Sequence, residues 1–302
     1  MRKIYLAAAL FFSSLFASAQ SLPSLLVGAD SQGISLGGAT VAGTSGAFAL
    51  ENNVAGMSLI EGRMAAGVSF GMWQPEYASD KIVGAGASVK VTSNFALGLG
   101  FKYFMQPSYE IMTEGGAASR DGMFTSKEYN VALGASYSIL DCLSFGVAAR
   151  VARSSLAPSA AATVFGADLG VYFRRKGLSA GLSVNNLGNK VKYGENSYAQ
   201  PMMAKLGAGY EATFGSSSLG VLAEADVLFT GAVMAGVGAE YSFRKLLFVR
   251  AGYHYGDALK AVPSYASVGL GVKFFGVRID ASYLCGSQVL KNSFGVSLGY
   301  EF

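Results

Sequence analysis

Residue types that could do chemistry are scarce in this chain of 302 residues. His254 is the single histidine, so a Ser–His–Asp triad or a metal site built from histidines would lack parts. Glu224 and Asp226 could serve as an acid–base pair, but residues two apart in a strand share a face. Opposing lysines and arginines on neighbouring strands explain these carboxylates better. The sequence therefore predicts that the protein is not an enzyme and has no catalytic residue, cofactor or metal.

The elements that must position these residues follow an alternating pattern. In the last strand one face is apolar and the other is small or polar, and the apolar face consists of Phe294, Val296, Leu298, Tyr300 and Phe302. The same alternation recurs from about residue 63 to the end of the chain. A barrel in lipid requires it, because the outside contacts hydrocarbon and the lumen contacts water. An ending on an aromatic such as Phe302 is a feature of bacterial outer-membrane barrels, in which the barrel-insertion machinery recognises the last strand.

The pattern predicts an all-β fold, a transmembrane antiparallel up-and-down β-barrel of about fourteen strands. With the C-terminus in the periplasm, the connections alternate between tight periplasmic turns and longer outer loops, of which 106–126 and 186–201 are the longest. The predicted strands are 63–73, 80–91, 95–105, 127–139, 143–153, 162–174, 177–185, 202–213, 217–227, 232–243, 246–256, 262–274, 276–285 and 291–302.

The N-terminal part of the chain divides into two segments. Residues 1–19 have a basic start, an apolar run and the small residues Ala17, Ser18 and Ala19. This pattern predicts a secretory signal peptide that is cleaved between Ala19 and Gln20. Residues 20–62 carry apolar side chains that favour burial, so we expect them to plug the lumen of the 63–302 barrel; a periplasmic tail is the alternative.

Composition excludes several classes of protein. Hydrophobic residues make up 51% of the chain and the mean hydropathy is +0.37, yet past the signal segment no run of about eighteen apolar residues could form a membrane-spanning helix. Loss of Arg2 and Lys3 with the signal peptide lowers the formal net charge from +4 to +2. The sequence therefore predicts no nucleic-acid partner.

Charged residues on the polar face of the strands predict a lumen in which positive and negative charges nearly cancel. A charge in a closed lumen needs a partner. We therefore expect Asp30, Glu51, Asn52 and Asn53 of the N-terminal segment to meet inward basic residues of the wall such as Arg250, Lys273 or Arg278. Asp280 belongs to the same set of inward charges, and His254 is expected to form hydrogen bonds in the lumen beside Arg250.

Several motifs in a fixed order give the chain a family resemblance. Residues 30–42 (DSQGISLGGATVA) and 47–57 (AFALENNVAGM) resemble the N-terminal signature of FadL-like barrels, although Val54 stands where those usually have proline. Residues 184–193 (VNNLGNKVKY) and 249–255 (VRAGYHY) are similar to the PorV/PorQ branch found in Bacteroidetes. The resemblance implies a fourteen-stranded barrel with an N-terminal plug in the bacterial outer membrane.

The resemblance leaves two functions open. PorV-like members are components of type IX secretion, which implies an adaptor that binds secreted cargo proteins or a translocon. FadL-like members are channels, which implies uptake of a hydrophobic small molecule through a gated lumen. In either case outer-membrane lipid surrounds the barrel. For an adaptor, the candidate partner loop carries Tyr109, Ile111, Met112, Met123 and Phe124.

Overall fold

The computed structural model describes residues 22–43, 46–76, 78–112, 118–158, 160–257 and 260–302. Within these residues fourteen strands form one closed antiparallel barrel, and two short strands form a separate hairpin. The strands are β1 (Met64–Trp73), β2 (Asp80–Lys90), β3 (Phe95–Met112), β4 (Ala118–Leu140), β5 (Leu143–Ala157), β6 (Ala160–Arg175), β7 (Leu178–Gly188), β8 (Val191–Tyr193), β9 (Asn196–Tyr198), β10 (Met203–Phe214), β11 (Ser217–Leu228), β12 (Val233–Phe243), β13 (Leu247–Gly256), β14 (Tyr265–Phe274), β15 (Val277–Cys285) and β16 (Phe294–Glu301).

The barrel closes because its first and last strands pair. The register of β1 on β16 runs from Ala65 opposite Glu301 to Met72 opposite Phe294. Alternation sets the two faces of the wall: outward side chains such as Leu206, Leu270 and Leu133 are more than 60% exposed, and their sequence neighbours point into the lumen. The predicted fold class and strand number are confirmed.

Two predicted loops contain strands instead. The predicted loop 106–126 is mostly the continuation of β3 and β4, which pair again as Ser108 with Thr125 after a register shift. The predicted loop 186–201 contains the β8–β9 hairpin. Both predictions of irregular structure were wrong because strands beyond the membrane can satisfy their backbone hydrogen bonds with each other without any apolar alternation.

The β3–β4 pair rises well above the membrane. The 23 residues of β4 would extend about 75 Å, or roughly 55 Å in height at a tilt of about 40°. An apolar band of about 25 Å covers less than half of that height. The tight turns between β6 and β7, β10 and β11, β12 and β13, and β14 and β15 lie at the opposite rim, which is therefore the periplasmic one.

The N-terminal segment, defined as the described residues from 22 to 62, lies inside the barrel. It contains 3-10 turns at Pro23–Leu25, Gly46–Phe48 and Val54–Leu59 and two short helices, α1 (Ser31–Ser35) and α2 (Ala49–Asn52). Its apolar side chains are buried, including Leu36, Val41, Phe48, Leu50 and Met57. Among the described residues, no helix has the length and apolarity needed to cross a bilayer. Ala19 and Gln20, the predicted cleavage site, lie outside the described residues.

Glycines of the wall let this segment approach closely. A Cβ on Gly146 of β5 would lie 2.6 Å from the backbone nitrogen of Ala55, and one on Gly236 of β12 would lie 2.5 Å from the carbonyl oxygen of Gly37. Contacts this close with backbone atoms leave no room for a side chain. The wall and the segment therefore pack backbone against backbone, which fixes the position of the charged side chains between them.

Candidate functional site

One buried cluster joins the N-terminal segment to the wall through Glu51 of α2. Both of its carboxylate oxygens lie 3.1 Å from Nη1 of Arg150, and Oε2 lies 3.8 Å from Nζ of Lys102. The three side chains are each 5% exposed. Burial works against the charged carboxylate, but the Arg150 and Lys102 charges outweigh it and lower the pKa of Glu51. Glu51 therefore stays ionised, which anchors the segment electrostatically.

The same cluster continues into an irregular part of the wall. Nη2 of Arg150 donates to Oδ2 of Asp168 over 2.8 Å, and Oδ1 of Asp168 accepts from the backbone nitrogen of Asn186 over 2.7 Å. Asn186 has a φ of 59° and lies where the register between β6 and β7 shifts. The side-chain amide of Asn186 donates to the carbonyl of Pro201. Glu51 is thus linked through two wall residues to the bulge that precedes the β8–β9 hairpin.

A second cluster holds the backbone of the segment. Oε2 of Glu224 accepts from the backbone nitrogens of Thr40 and Val41, each over 2.6 Å. Its Oε1 lies 3.0 Å from Nζ of Lys205, which is also 3.5 Å from Oδ2 of Asp226. Glu224 and Asp226 therefore share one lysine, and Glu224 also satisfies two backbone donors of the segment. This is a structural role of the kind that the sequence favoured over acid–base chemistry.

The predicted partners of the segment's acidic and amide side chains differ from those in the structure. Arg250 lies 2.5 Å from Glu240 and 2.8 Å from Asp280, and Arg278 lies 2.9 Å from Asp280. Lys273 lies 2.7 Å from Glu301. Glu240 lies opposite Arg250 on the neighbouring strand, and Arg278 and Asp280 are two residues apart on β15. The long side chains of Arg250 and Lys273 reach across one intervening strand to Asp280 and Glu301. The three basic residues named as examples thus pair within the wall, whereas Glu51 meets two other inward basic residues, Arg150 and Lys102.

Asp30, Asn52 and Asn53 have hydrogen-bond partners rather than ion pairs with these cations. Asp30 caps α1 by accepting from the nitrogen of Gly33 over 3.0 Å, and Oδ1 accepts from the Asn52 amide over 3.3 Å. Burial raises the pKa of Asp30, although these hydrogen bonds oppose the rise. The Asn53 amide donates to the carbonyls of Val41 and Val171. Asn53 therefore ties two parts of the segment to each other and to β6.

His254 of β13 contacts the backbone of the segment at Gly37. Its Nδ1 lies 3.2 Å from the carbonyl oxygen of Gly37, and its ring stacks on Tyr265 with centroids 4.9 Å apart. Arg250 is four residues away on the same strand but pairs with carboxylates. The histidine thus acts as a lumen hydrogen-bonding group that positions the backbone of the segment.

The space left between segment and wall is small. A cavity of about 80 Å³ is bordered by Asp30, Glu51, Lys205 and His254 and by the apolar side chains of Trp73 and Met234, among others. Above it, at the outer end of the lumen, an apolar cluster includes Trp73, Phe104, Met203 and Tyr265. Among the described residues no group of His, Cys, Asp or Glu side chains could hold a metal ion.

The outer hairpin, defined as Met105–Met112 of β3 with Ala118–Lys127 of β4, carries the candidate partner residues. Tyr109 packs edge-on against Phe124 with ring centroids 5.7 Å apart, and its hydroxyl donates to the carbonyl of Leu156 over 2.7 Å. Met123 is 63% exposed, and Ile111 is half-buried. Met112 ends β3, but its side chain lies outside the described part of the structure. The hairpin is thus a strand pair whose exposed side chains include Tyr109 and Met123.

The C-terminal aromatic residue completes the barrel seam. The carbonyl oxygen of Phe302 accepts from the backbone nitrogens of Arg63 and Met64, and its nitrogen donates to the carbonyl of Met64. The ring is 57% exposed. Phe302 is therefore presented at the periplasmic rim, where an insertion factor could bind it, and its role as an insertion signal stays a prediction.

Sequence comparison identifies the family. The profile of a family described as type IX secretion system protein PorV matches residues 16–230. This chain belongs to the PorV family. As a family member with a closed fourteen-stranded barrel, it is an outer-membrane protein. No curated protein sequence matches the chain.

Solved structures of transporters share the fold of this PorV-family barrel. The toluene transporter TbuX of Ralstonia pickettii is 12% identical with a TM-score of 0.65, and 92% of this chain and 99% of TbuX are covered. The P. putida toluene transporter TodX is 15% identical with a TM-score of 0.64 over the same shares. A Pseudomonas aeruginosa FadL homologue is 14% identical with a TM-score of 0.58, covering 95% of this chain and all of its own. At such identities the likeness concerns the fold alone.

Proposed function

We propose that this protein is a non-enzymatic adaptor of protein secretion to the cell surface, which binds exported proteins through its outer hairpin while its lumen stays closed. Membership of a family of type IX secretion proteins supports the class of process. The observation that carries the proposal is the filled lumen. Because the segment occupies the lumen, the surface left for a protein partner is the part that projects from the membrane.

The N-terminal segment occupies much of the lumen, and polar side chains anchor it to the wall. The segment contacts glycines of the wall on β5 and β12, which are five strands apart around the barrel, and is held by Glu51 and Glu224 through ion pairs and hydrogen bonds. The remaining cavity of about 80 Å³ is well below the roughly 300–1,000 Å³ of pockets that enclose drug-sized ligands. The absence of a ligand-sized cavity in the described residues supports a barrel that binds partners on its outer surface.

The outer hairpin has the properties of a protein-binding surface. It stands above the apolar band of the membrane, and it exposes Met123 and Tyr109, which are 63% and 43% exposed. Methionine and tyrosine are enriched at protein interfaces, where they supply adaptable contact area. The Tyr109 hydroxyl is fixed to the top of β5, so the surface is preorganised and would lose little entropy on binding.

Affinity purification from native membranes tests the proposal. The wild-type barrel should recover exported proteins or a large translocon, and a Tyr109→Ser, Met123→Ser double variant should recover them at least about tenfold less well, as expected for loss of interface anchors. The matched control is Lys192→Ser, Glu195→Ser on the β8–β9 hairpin, which should recover the wild-type amount. Recovery of no protein partner, together with a lipid or small molecule bound in the barrel, would refute the proposal.

Uptake of a hydrophobic small molecule is the second candidate. The apolar cluster at the outer end of the lumen, with Trp73, Phe104 and Met203, favours it because such a cluster could receive an apolar ligand if the segment moved. This function requires displacement of the N-terminal segment, whereas the adaptor does not. The two candidate functions can therefore be distinguished by whether the protein still works when the N-terminal segment cannot move.

A further inference from the structure

Three cations form an unusual group on the lipid-facing side of the barrel. Lys81 of β2, Lys127 of β4 and Arg153 of β5 are all exposed, whereas their sequence neighbours Ile82, Glu128 and Ala152 are buried in the lumen. The alternation of the strands thus directs the three side chains outward, away from the charged lumen described above.

The strand registers bring these side chains close together. Met105 of β3 lies opposite both Lys81 and Lys127, which places the two lysines about 10 Å apart across two strand spacings. Lys127 lies opposite Ser155, so Arg153 is its diagonal neighbour at about 7–8 Å. The three positive charges therefore occupy one patch of the surface.

The height of the patch matches the outer boundary of the membrane. Tyr103 and Tyr129 face each other on β3 and β4 and correspond to the aromatic girdle that marks the interface in such barrels. Lys127 lies two residues further out than Tyr129, about 5 Å in height at a tilt of about 40°. Arg153 lies opposite Tyr129, and its long side chain can reach the same level.

None of the three cations forms an ion pair with a described carboxylate, since every ion pair in the described part of the chain involves other residues. Arg153 donates to the Thr163 hydroxyl, over 3.2 Å. Like charges that are neighbours on one face of a sheet repel each other. An anion bound between them would offset that cost.

We propose that Lys81, Lys127 and Arg153 bind the phosphate group of a lipid headgroup in the outer leaflet. Phosphate is the anion that suits them, because the arginine fork gives paired hydrogen bonds and lysines add point charges. A lipid is the source because the patch faces the bilayer at headgroup level, where lipid anions are concentrated. The proposal concerns the outer wall and does not depend on the adaptor function.

Native mass spectrometry of the detergent-solubilised barrel with added diphosphoryl lipid A tests this site. Wild-type protein should retain the lipid, and should retain monophosphoryl lipid A less well. A Lys81→Gln, Lys127→Gln, Arg153→Gln variant should lose retention by about tenfold or more, because each cation near a charged headgroup contributes to binding. Heat-dependent gel migration reports whether each variant is folded.

The matched control removes three exposed cations from the opposite rim, as Arg175→Gln, Lys176→Gln, Lys245→Gln. It should retain diphosphoryl lipid A as the wild-type protein does. Equal loss from the control would overturn the proposal, since retention would then follow net charge. Full retention by the Lys81, Lys127 and Arg153 variant would overturn it as well, as would an acidic protein that replaces the lipid at the patch.

Discussion

The Glu51 carboxylate and the Arg150 guanidinium join the N-terminal segment to the barrel wall, with both carboxylate oxygens 3.1 Å from Nη1. Each side chain is 5% exposed. Arg150 also holds Asp168, which in turn holds the backbone of Asn186 at the bulge in β7. Through Arg150, one residue of the N-terminal segment is thus linked to charges on β5 and β6.

Glu51→Gln should weaken the hold of the wall on the segment. The change removes the charge that Arg150 and Lys102 face, and loss of one partner of a buried pair costs about 3–5 kcal/mol. Limited proteolysis should cut the variant within residues 22–62 at a concentration of protease that spares the wild type. The control is Glu76→Gln, whose pair with Lys291 is exposed and contributes about 0–1 kcal/mol. Equal protection of Glu51→Gln and wild type would contradict the assigned role.

Acid should release the segment in a manner that depends on Glu51. Its pKa in the folded protein is lowered from the ordinary value of 4.5. A carboxyl with a lowered pKa stabilises the docked state above its ordinary pKa and loses that effect as pH falls through the folded value. Protease sensitivity of the segment should therefore rise below about pH 4.5 in the wild type, and Glu51→Gln should be sensitive without that rise. An identical pH profile in both proteins would refute the prediction.

The contribution of Asp30 to stability should change with pH in the opposite direction to that of Glu51. Burial raises its pKa above 3.8, so the charged form works against docking, and its favourable contribution falls as pH rises through the folded value. Asp30→Asn removes the charge and keeps an oxygen for the cap of α1, whereas Asp30→Ala loses the cap at a cost of about 1 kcal/mol. Thermal unfolding in detergent should rank Asp30→Asn above Asp30→Ala at pH 7. The reverse ranking would show that the cap of α1 does not stabilise the protein.

Close backbone packing predicts a difference between two glycines of the wall. A Cβ at Gly146 would lie 2.6 Å from the nitrogen of Ala55, whereas one at Gly220 would meet only the carbonyl oxygen of Glu240 at 3.9 Å. Gly146→Ala should therefore loosen the segment by about 1–3 kcal/mol, as overpacking does, and Gly220→Ala should be neutral. The measurement is limited proteolysis of residues 22–62 in the Gly146→Ala and Gly220→Ala variants. Similar behaviour of the two variants would mean that the segment is held less closely.

The sequence predicted the barrel because its wall must alternate at every strand, so that the signal is repeated from Arg63 to Phe302. It did not predict the extension of β3 and β4, since strands above the membrane need no apolar face. The pairing of Glu51 with Arg150 was also missed. Arg150, Lys102 and Asp168 are recognisable as inward charges, but their partner depends on the path of the irregular segment that carries Glu51. Wall pairs such as Glu240 with Arg250 follow from strand register and could have been derived first.

The claim that the protein is an adaptor with a closed lumen is tested most directly by measuring recovery of exported proteins while the segment is locked to the wall. The hydroxyls of Ser58 and Ser138 lie 2.8 Å apart, so Ser58→Cys, Ser138→Cys should form a disulfide, whose sulfurs are about 2 Å apart, between segment and wall. Cys142→Ser and Cys285→Ser remove the free thiols. Recovery of exported proteins from native membranes should be the same for the oxidised and the reduced protein. Loss of recovery on oxidation and its return on reduction would contradict an adaptor that works with a closed lumen.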